Sequence, residues 1–219
     1  MKKVLVLVEG QTEETFVRDV LGRHFQSRDI CFASTLVVTK RVKDGPNFKG
    51  GVTSWERVAG DLRRLFRDTS AAAITTMIDY YGLPSDFPGM NSRRVGSPQS
   101  RVEHVEAAMA SALGHVGFIP YLSLHEFEAL VFASLDHASW VFNHDSHVLG
   151  ALRQQLMSVT TAEDINEQPP TAPSRRIINA FPPYQKVLHG PMAVESSGLD
   201  VLRQACPHFG NWLTRLETL

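Results

Sequence analysis

A mostly parallel α/β domain is the fold class this sequence predicts, and three observations predict it. The chain opens with a run of apolar, mostly β-branched residues, Val4-Leu5-Val6-Leu7-Val8, that stops at Glu9-Gly10. Such a run, bounded by turn chemistry, is the pattern of a strand buried on both faces. Further apolar runs at Ile30–Thr39, Ala71–Ile78 and Phe118–Leu124 are separated by segments with helical spacing. Strands alternating with helices imply right-handed βαβ crossovers, and so a parallel sheet, here of four strands. No strand pattern follows Ala133, so residues 1–133 are expected to form the α/β core and 134–219 a helical C-terminal extension packed on it.

The elements follow in order. Gly10 is expected to permit a sharp turn and Thr12 to cap the next helix, whose first turn carries Glu13 and Glu14 against the positive end of its dipole. Phe16, Val17, Val20, Leu21 and Phe25 then recur at helical spacing from about Thr12 to Gln26. Lys40 to Val52 is a glycine- and lysine-containing loop, after which Ser54 is placed to cap a helix whose inner face is Trp55, Val58, Ala59, Leu62, Leu65 and Phe66. The third strand ends at Asp79. The loop after it, Tyr80 to about Ser100, is long for a compact domain, and loops of that length are usually functional. Val102, Val105, Met109 and Leu113 mark a helix before the fourth strand, and another is expected to begin at His125. Beyond Ala133 come helical pieces near 147–158, 174–181, 199–205 and 209–216, broken by the proline-rich stretch Gln168–Pro173. His144-Asp145-Ser146-His147 reads as a loop in which Asp145 or Ser146 caps the following helix.

Composition narrows the class. At 219 residues with a net charge of −1, the chain is ordinary for a soluble globular protein. No segment has the length of a membrane span, and Cys31 and Cys206 are far apart with no metal-site spacing. A cytoplasmic setting is therefore expected. No phosphate-cradling loop, nucleophile elbow or zinc-helix motif is present. Charge is unevenly placed: Lys40, Arg41, Lys43, Lys49, Arg57, Arg63, Arg64 and Arg67 stand against Asp44, Glu56 and Asp61. That run is either a solvated helix face or a phosphate-binding surface for nucleic acid, with Arg63, Arg64 and Arg67 as its densest part. Ser174-Arg175-Arg176, Lys186 and His189 form a second basic set that could fold back over the sheet as a substrate clamp.

The chemistry is expected at the strand ends. Glu9 follows the first strand, Asp79 the third, and Glu126 with Glu128 the fourth. In a parallel sheet these ends share one edge, where open α/β folds bind ligands. Carboxylates held together repel unless a cation lies between them, and oxygen ligands suit Mg²⁺ or Mn²⁺. Such an ion polarises a phosphodiester.

Val8-Glu9-Gly10-Gln11-Thr12-Glu13 resembles the glutamate signature of TOPRIM domains, the metal-dependent module of topoisomerases, primases and old-type nucleases. Ile78-Asp79-Tyr80-Tyr81 falls where that family carries Asp-x-Asp. More closely, the chain is similar to a TOPRIM-like bacterial family of unknown function, often encoded beside an AAA-type ATPase and suspected in phage defence. The matching blocks are Val8–Glu13, Asp79–Gly89, Pro120–Leu130, Tyr184–Gly190 and Cys206–Phe209. The resemblance implies a TOPRIM or Rossmann-like sheet, a Mg²⁺-dependent nuclease or phosphodiesterase acting on DNA or RNA, Glu9 as general acid or base, and Asp79 as a metal ligand. One departure matters. Tyr81 stands where the second aspartate would fall, leaving Asp86, Glu126 and Glu128 as candidates for the missing carboxylate. Lys186 is expected to assist catalysis, and Arg175, Arg176 and His189 to contact phosphates. The alternatives are a phosphoryl-transfer enzyme on a small nucleotide and a non-catalytic module that binds nucleic acid or an ATPase partner.

Overall fold

The computed structural model describes residues 1–40, 48–49, 52–93, 95–165 and 171–219. Arg41, Lys43 and most of the glycine- and lysine-containing loop, Arg94, and the stretch from Gln168 to Pro170 lie outside the described residues. In chain order, β1 (Lys2–Val8) leads into α1 (Gln11–Phe16), a π-helical turn (Val17–Leu21) and α2 (Gly22–Phe25). Next come β2 (Ile30–Leu36) and a small antiparallel ribbon of β3 (Val38–Lys40) and β4 (Phe48–Lys49). α3 (Trp55–Leu65) precedes β5 (Ala71–Asp79), and α4 (Pro98–Leu113) precedes the short strands β6 (Phe118–Ile119) and β7 (Leu122–Ser123). The helices α5 (Glu128–Ala133), α6 (Ser146–Leu156), α7 (Pro173–Ala180), α8 (Lys186–Ser197), α9 (Leu199–Ala205) and α10 (Pro207–Glu217) complete the chain. No helix among the described residues is long and apolar enough to cross a membrane.

The main sheet runs β2-β1-β5-β6, with β7 also on β5, and all its pairings are parallel. β1 is central and buried on both faces, as its unbroken apolar run predicts. Val4, Val6 and Val8 join one core with Phe16, Phe25, Phe127, Phe209, Trp212 and Leu216. Leu5 and Leu7 join the other with Val58, Leu62, Ile78, Val105 and Met109. Helices thus cover both faces: α3 and α4 on one, α1 and the C-terminal helices on the other. The C-terminal region is not a separate layer, since its residues complete the core that β1 and α1 begin.

The predicted fourth strand is broken by Pro120, which has no N–H for a ladder. Threonine hydroxyls bridge the gap. Thr75 Oγ1 donates to Ile119 O at 2.5 Å, and Thr76 Oγ1 both donates to Tyr121 O at 2.7 Å and accepts its N–H at 2.9 Å.

Several expected caps differ. The first helix begins at Gln11 with Gly10 as its N-cap, so Thr12 lies inside it and is buried. Gly10 has an ordinary extended φ of −149°; what it supplies is room, because a Cβ there would lie 3.2 Å from Glu13 Oε2. Ser54 is the N-cap of α3 without a side-chain bond, and Asp86 from the loop after β5 accepts the Trp55 N–H instead, at 2.9 Å. Asp145 caps α6, accepting from His147 and Val148. The helix expected at His125 begins at Glu128, because His125 adopts a left-handed φ of 70°.

Candidate functional site

Parallel pairing brings the strand ends together. Glu9 extends the β1–β5 ladder by one bond, its N–H donating to Met77 O at 3.0 Å, and its carboxylate Oε2 accepts the backbone N–H of Asp79 at 2.9 Å. Asp79 Oδ1 in turn accepts the N–H of Phe127 at 3.2 Å, tying β5 to the turn after β7. One helical turn beyond Glu9, Glu13 folds back so that its Oε2 accepts the Gly10 N–H at 2.9 Å, and its side chain is buried.

The turn His125-Glu126-Phe127 is not helical, so Glu126 and Glu128 both lie within electrostatic reach of Asp79, yet reach in different directions. Glu126 Oε2 accepts the N–H of Ser174 at the start of α7, at 3.0 Å. Glu128 is buried, and its Oε2 faces Lys186 Nζ, the first residue of α8, at 3.4 Å. The Lys186 side chain is 43% exposed against 2% for Glu128, so it runs from the buried carboxylate out to solvent.

Burial sets the electrostatics. Desolvation, with Glu9, Glu13, Glu128 and Glu126 adding repulsion, pushes the Asp79 carboxyl well above its ordinary range. Glu9 is raised chiefly by burial, against the lowering effect of the Asp79 and Val52 amides and of Lys186. Burial also raises Glu13 and Glu128, each to about 7. Burial works against the Lys186 ammonium, but Glu128, Glu126 and Asp79 outweigh it and raise its pKa.

Asp79 and the four glutamates that act on it make five carboxyls, and among the described residues the ammonium that faces them is that of Lys186. So uneven a charge balance in a buried site calls for bound protons or a bound cation. The donors suit a hard divalent ion, since all are oxygens. Glu9, Glu13, Asp79 and Glu126 aim at backbone amides, and Glu128 at Lys186. Among the described residues, no three metal-ligating side chains already converge on one point.

The other candidates separate. Asp86 is exposed and caps α3, outside this group of acids. Tyr81 donates its backbone N–H to His125 O at 3.0 Å and so braces the turn that carries Glu126. Arg63, Arg64 and Arg67 are exposed at the C-terminal end of α3. A crossover helix runs opposite to its strands, and Asp68, just beyond, pairs with Lys3 at the start of β1 at 2.6 Å. The three arginines therefore lie at the sheet edge opposite the acids, and Arg64 pairs with Asp61. Arg176 ties α7 to its surroundings through Thr171 O at 2.5 Å and Gln155 Oε1 at 2.9 Å. His189 Nδ1 accepts the Gln185 N–H at 2.9 Å and caps α8. Arg175 stays exposed, one residue beyond the Ser174 amide that holds Glu126.

Sequence reasoning missed Glu13 as a member of the site, reading it as a partner of the helix dipole. Its signal was the Glu9-x-x-x-Glu13 spacing, which lays the second acid one turn along from a strand-end acid.

The fold and site together define a parallel α/β domain with an acidic centre at the carboxyl edge of its sheet. The chain belongs to the family described as a domain of unknown function, DUF4276, whose model matches residues 8–217. Among solved structures it is similar to the C-terminal region of the Burkholderia pseudomallei OLD protein, over 98% of each chain, at 13% identity and a TM-score of 0.44. No curated protein matches.

Proposed function

We propose that the chain is a TOPRIM-like, Mg²⁺- or Mn²⁺-dependent phosphodiesterase acting on DNA or RNA. The observation that carries this reading is the gathering of Glu9, Glu13, Asp79 and Glu126 at one sheet edge with Lys186 at its mouth. Glu9, Glu13 and Asp79, with Glu126, would hold the ion, which when bound would polarise a phosphodiester and steady the departing oxygen. Burial raises the Glu9 carboxyl above its ordinary range, which suits a group that takes up and releases a proton. Lys186 offers a point charge to a phosphate, and Arg175 a guanidinium fork. Glu128, a candidate ligand by sequence, serves here to aim Lys186.

A cytoplasmic setting, expected from the cysteine pattern, belongs to the same reading, as do an AAA-type ATPase partner and a part in phage defence, which rest on the sequence resemblance. Purified protein should cleave nucleic acid only when Mg²⁺ or Mn²⁺ is supplied, and Glu9→Gln should abolish this with the fold intact. Metal-dependent cleavage that persists in Glu9→Gln overturns the assignment. The inward aim of the acids favours a second reading, a non-catalytic module. Calorimetric titration with Mn²⁺ separates the two, since the module would bind none.

A further inference from the structure

α8 carries Lys186 into the site, and two of its features have no place in the chemistry above. Glu128 Oε1 is buried with no hydrogen-bond partner although its sister oxygen faces Lys186. The hydroxyl of Tyr184, two residues before Lys186, is buried too, has no hydrogen-bond partner, and lies within electrostatic reach of the Glu128 carboxylate. A buried acceptor and a buried donor, each unsatisfied and near one another, can satisfy each other.

The surroundings hold the donor there. The Tyr184 ring stacks on Phe142 with centroids 6.4 Å apart and planes 8° apart, and its N–H donates to Phe181 O at 3.0 Å. Gly190 keeps the space open. A Cβ at that position would meet the Tyr184 hydroxyl at 3.3 Å, Phe127 Cε1 at 3.2 Å and Thr12 Cγ2 at 3.4 Å. The glycine lets α8 approach α1 closely enough to seat the hydroxyl beside Glu128.

We propose that Tyr184 is a positioning residue: its O–H donates to Glu128 Oε1, fixes the plane of that carboxylate, and so holds Lys186 at the mouth of the acidic site. The phenol touches neither substrate nor ion and acts through Glu128. This assignment rests on the phosphodiesterase reading for its consequence, and on the contact itself for its existence.

The test separates the two. In metal-free protein, a double-mutant cycle of Tyr184→Phe and Glu128→Ala is read by urea unfolding, and the acetylation rate of Lys186 is followed by mass spectrometry in wild type and Tyr184→Phe. The cycle should be non-additive, and Tyr184→Phe should raise Lys186 acetylation several-fold by loosening its anchor. An additive cycle, or unchanged acetylation, overturns the proposal whether or not the protein cleaves nucleic acid. In the cleavage assay Tyr184→Phe should lower kcat/KM about tenfold, the scale of loss when a group that orients a functional side chain is removed. Unchanged kcat/KM in an active enzyme also overturns it. A coupled cycle in a protein without cleavage activity supports the contact and counts against the phosphodiesterase reading alone.

Discussion

The Glu9 carboxylate accepts the backbone N–H of Asp79 at 2.9 Å, so two acids 70 residues apart in sequence are fixed to one another at neighbouring strand ends. Neither is placed by its own helix or loop. The register of β1 against β5, Val8 opposite Met77, sets their distance. A glutamine at position 9 can still accept that amide, which is why Glu9→Gln is the informative substitution. It should leave the thermal midpoint within a few degrees of wild type by circular dichroism and lower cleavage at least about a hundredfold, the usual scale for loss of a proton-transfer group.

The buried acids should make metal-free stability fall as pH rises. Glu13 and Glu128 have folded-state pKa values near 7, above the ordinary 4.5. The folded protein therefore binds more protons than the unfolded chain between those values. Each carboxyl leaves stability intact below about pH 4.5 and withdraws about 3 kcal/mol once the pH passes 7. Urea midpoints measured from pH 5 to pH 8 should decline, and Mn²⁺ should recover part of the loss at pH 8. A flat profile would contradict the buried charge balance.

A second buried pair pushes the pH dependence the same way. His208 Nε2 lies 3.0 Å from Glu106 Oε1, which also accepts the Leu122 N–H at 2.7 Å, and the His208 ring stacks on Tyr121. Burial lowers the His208 pKa, but its bond to Glu106 and the charge there outweigh this and raise it. A raised histidine stabilises below its unfolded value of 6.5, and that contribution is lost as pH rises through the folded pKa. Proton NMR of the ring should give a midpoint above 6.5. His208→Ala, which strands a buried carboxylate, should cost about 3 kcal/mol in urea unfolding.

Asp86→Ala should cost about 1 kcal/mol by removing the acceptor at the start of α3. Mn²⁺ affinity and cleavage should stay unchanged. Loss of metal binding in this variant would return Asp86 to the site.

Replacing Arg63, Arg64 and Arg67 together with alanine should leave the salt dependence of nucleic-acid binding as it is, because they face away from the acids. Arg175→Ala should reduce the salt slope by about 1, as expected when one phosphate contact is lost. Fluorescence anisotropy across a salt series reads both.

The central strand, its double burial and the strand-end acids are legible in the sequence because each depends on local pattern: Val4 to Val8 is unbroken, and Glu9 and Asp79 stop their strands. What was hidden depends on the third dimension. The Arg63–Arg67 cluster reads equally as a solvated helix face or a binding surface, and local pattern does not say that the crossover helix puts it at the edge far from the acids. α8 was missed because Gly190-Pro191 reads as a helix breaker. In place, Gly190 is the point of closest approach to Phe127 and Thr12, and the helix continues past Pro191 to Ser197. Asp86 looked like a ligand because nothing in the sequence says that it reaches back 31 residues to Trp55.

The core that β1 begins is finished by Phe209, Trp212 and Leu216, near the other end of the chain. This sets an order of events during synthesis. The central strand leaves the ribosome before every helix that covers it, and one of its faces is completed only by residues about 200 positions later. The acids meet as soon as the strands pair, whereas Lys186 arrives only with α8. The negative half of the site thus depends on strand pairing, and the positive half on a helix from the far part of the chain.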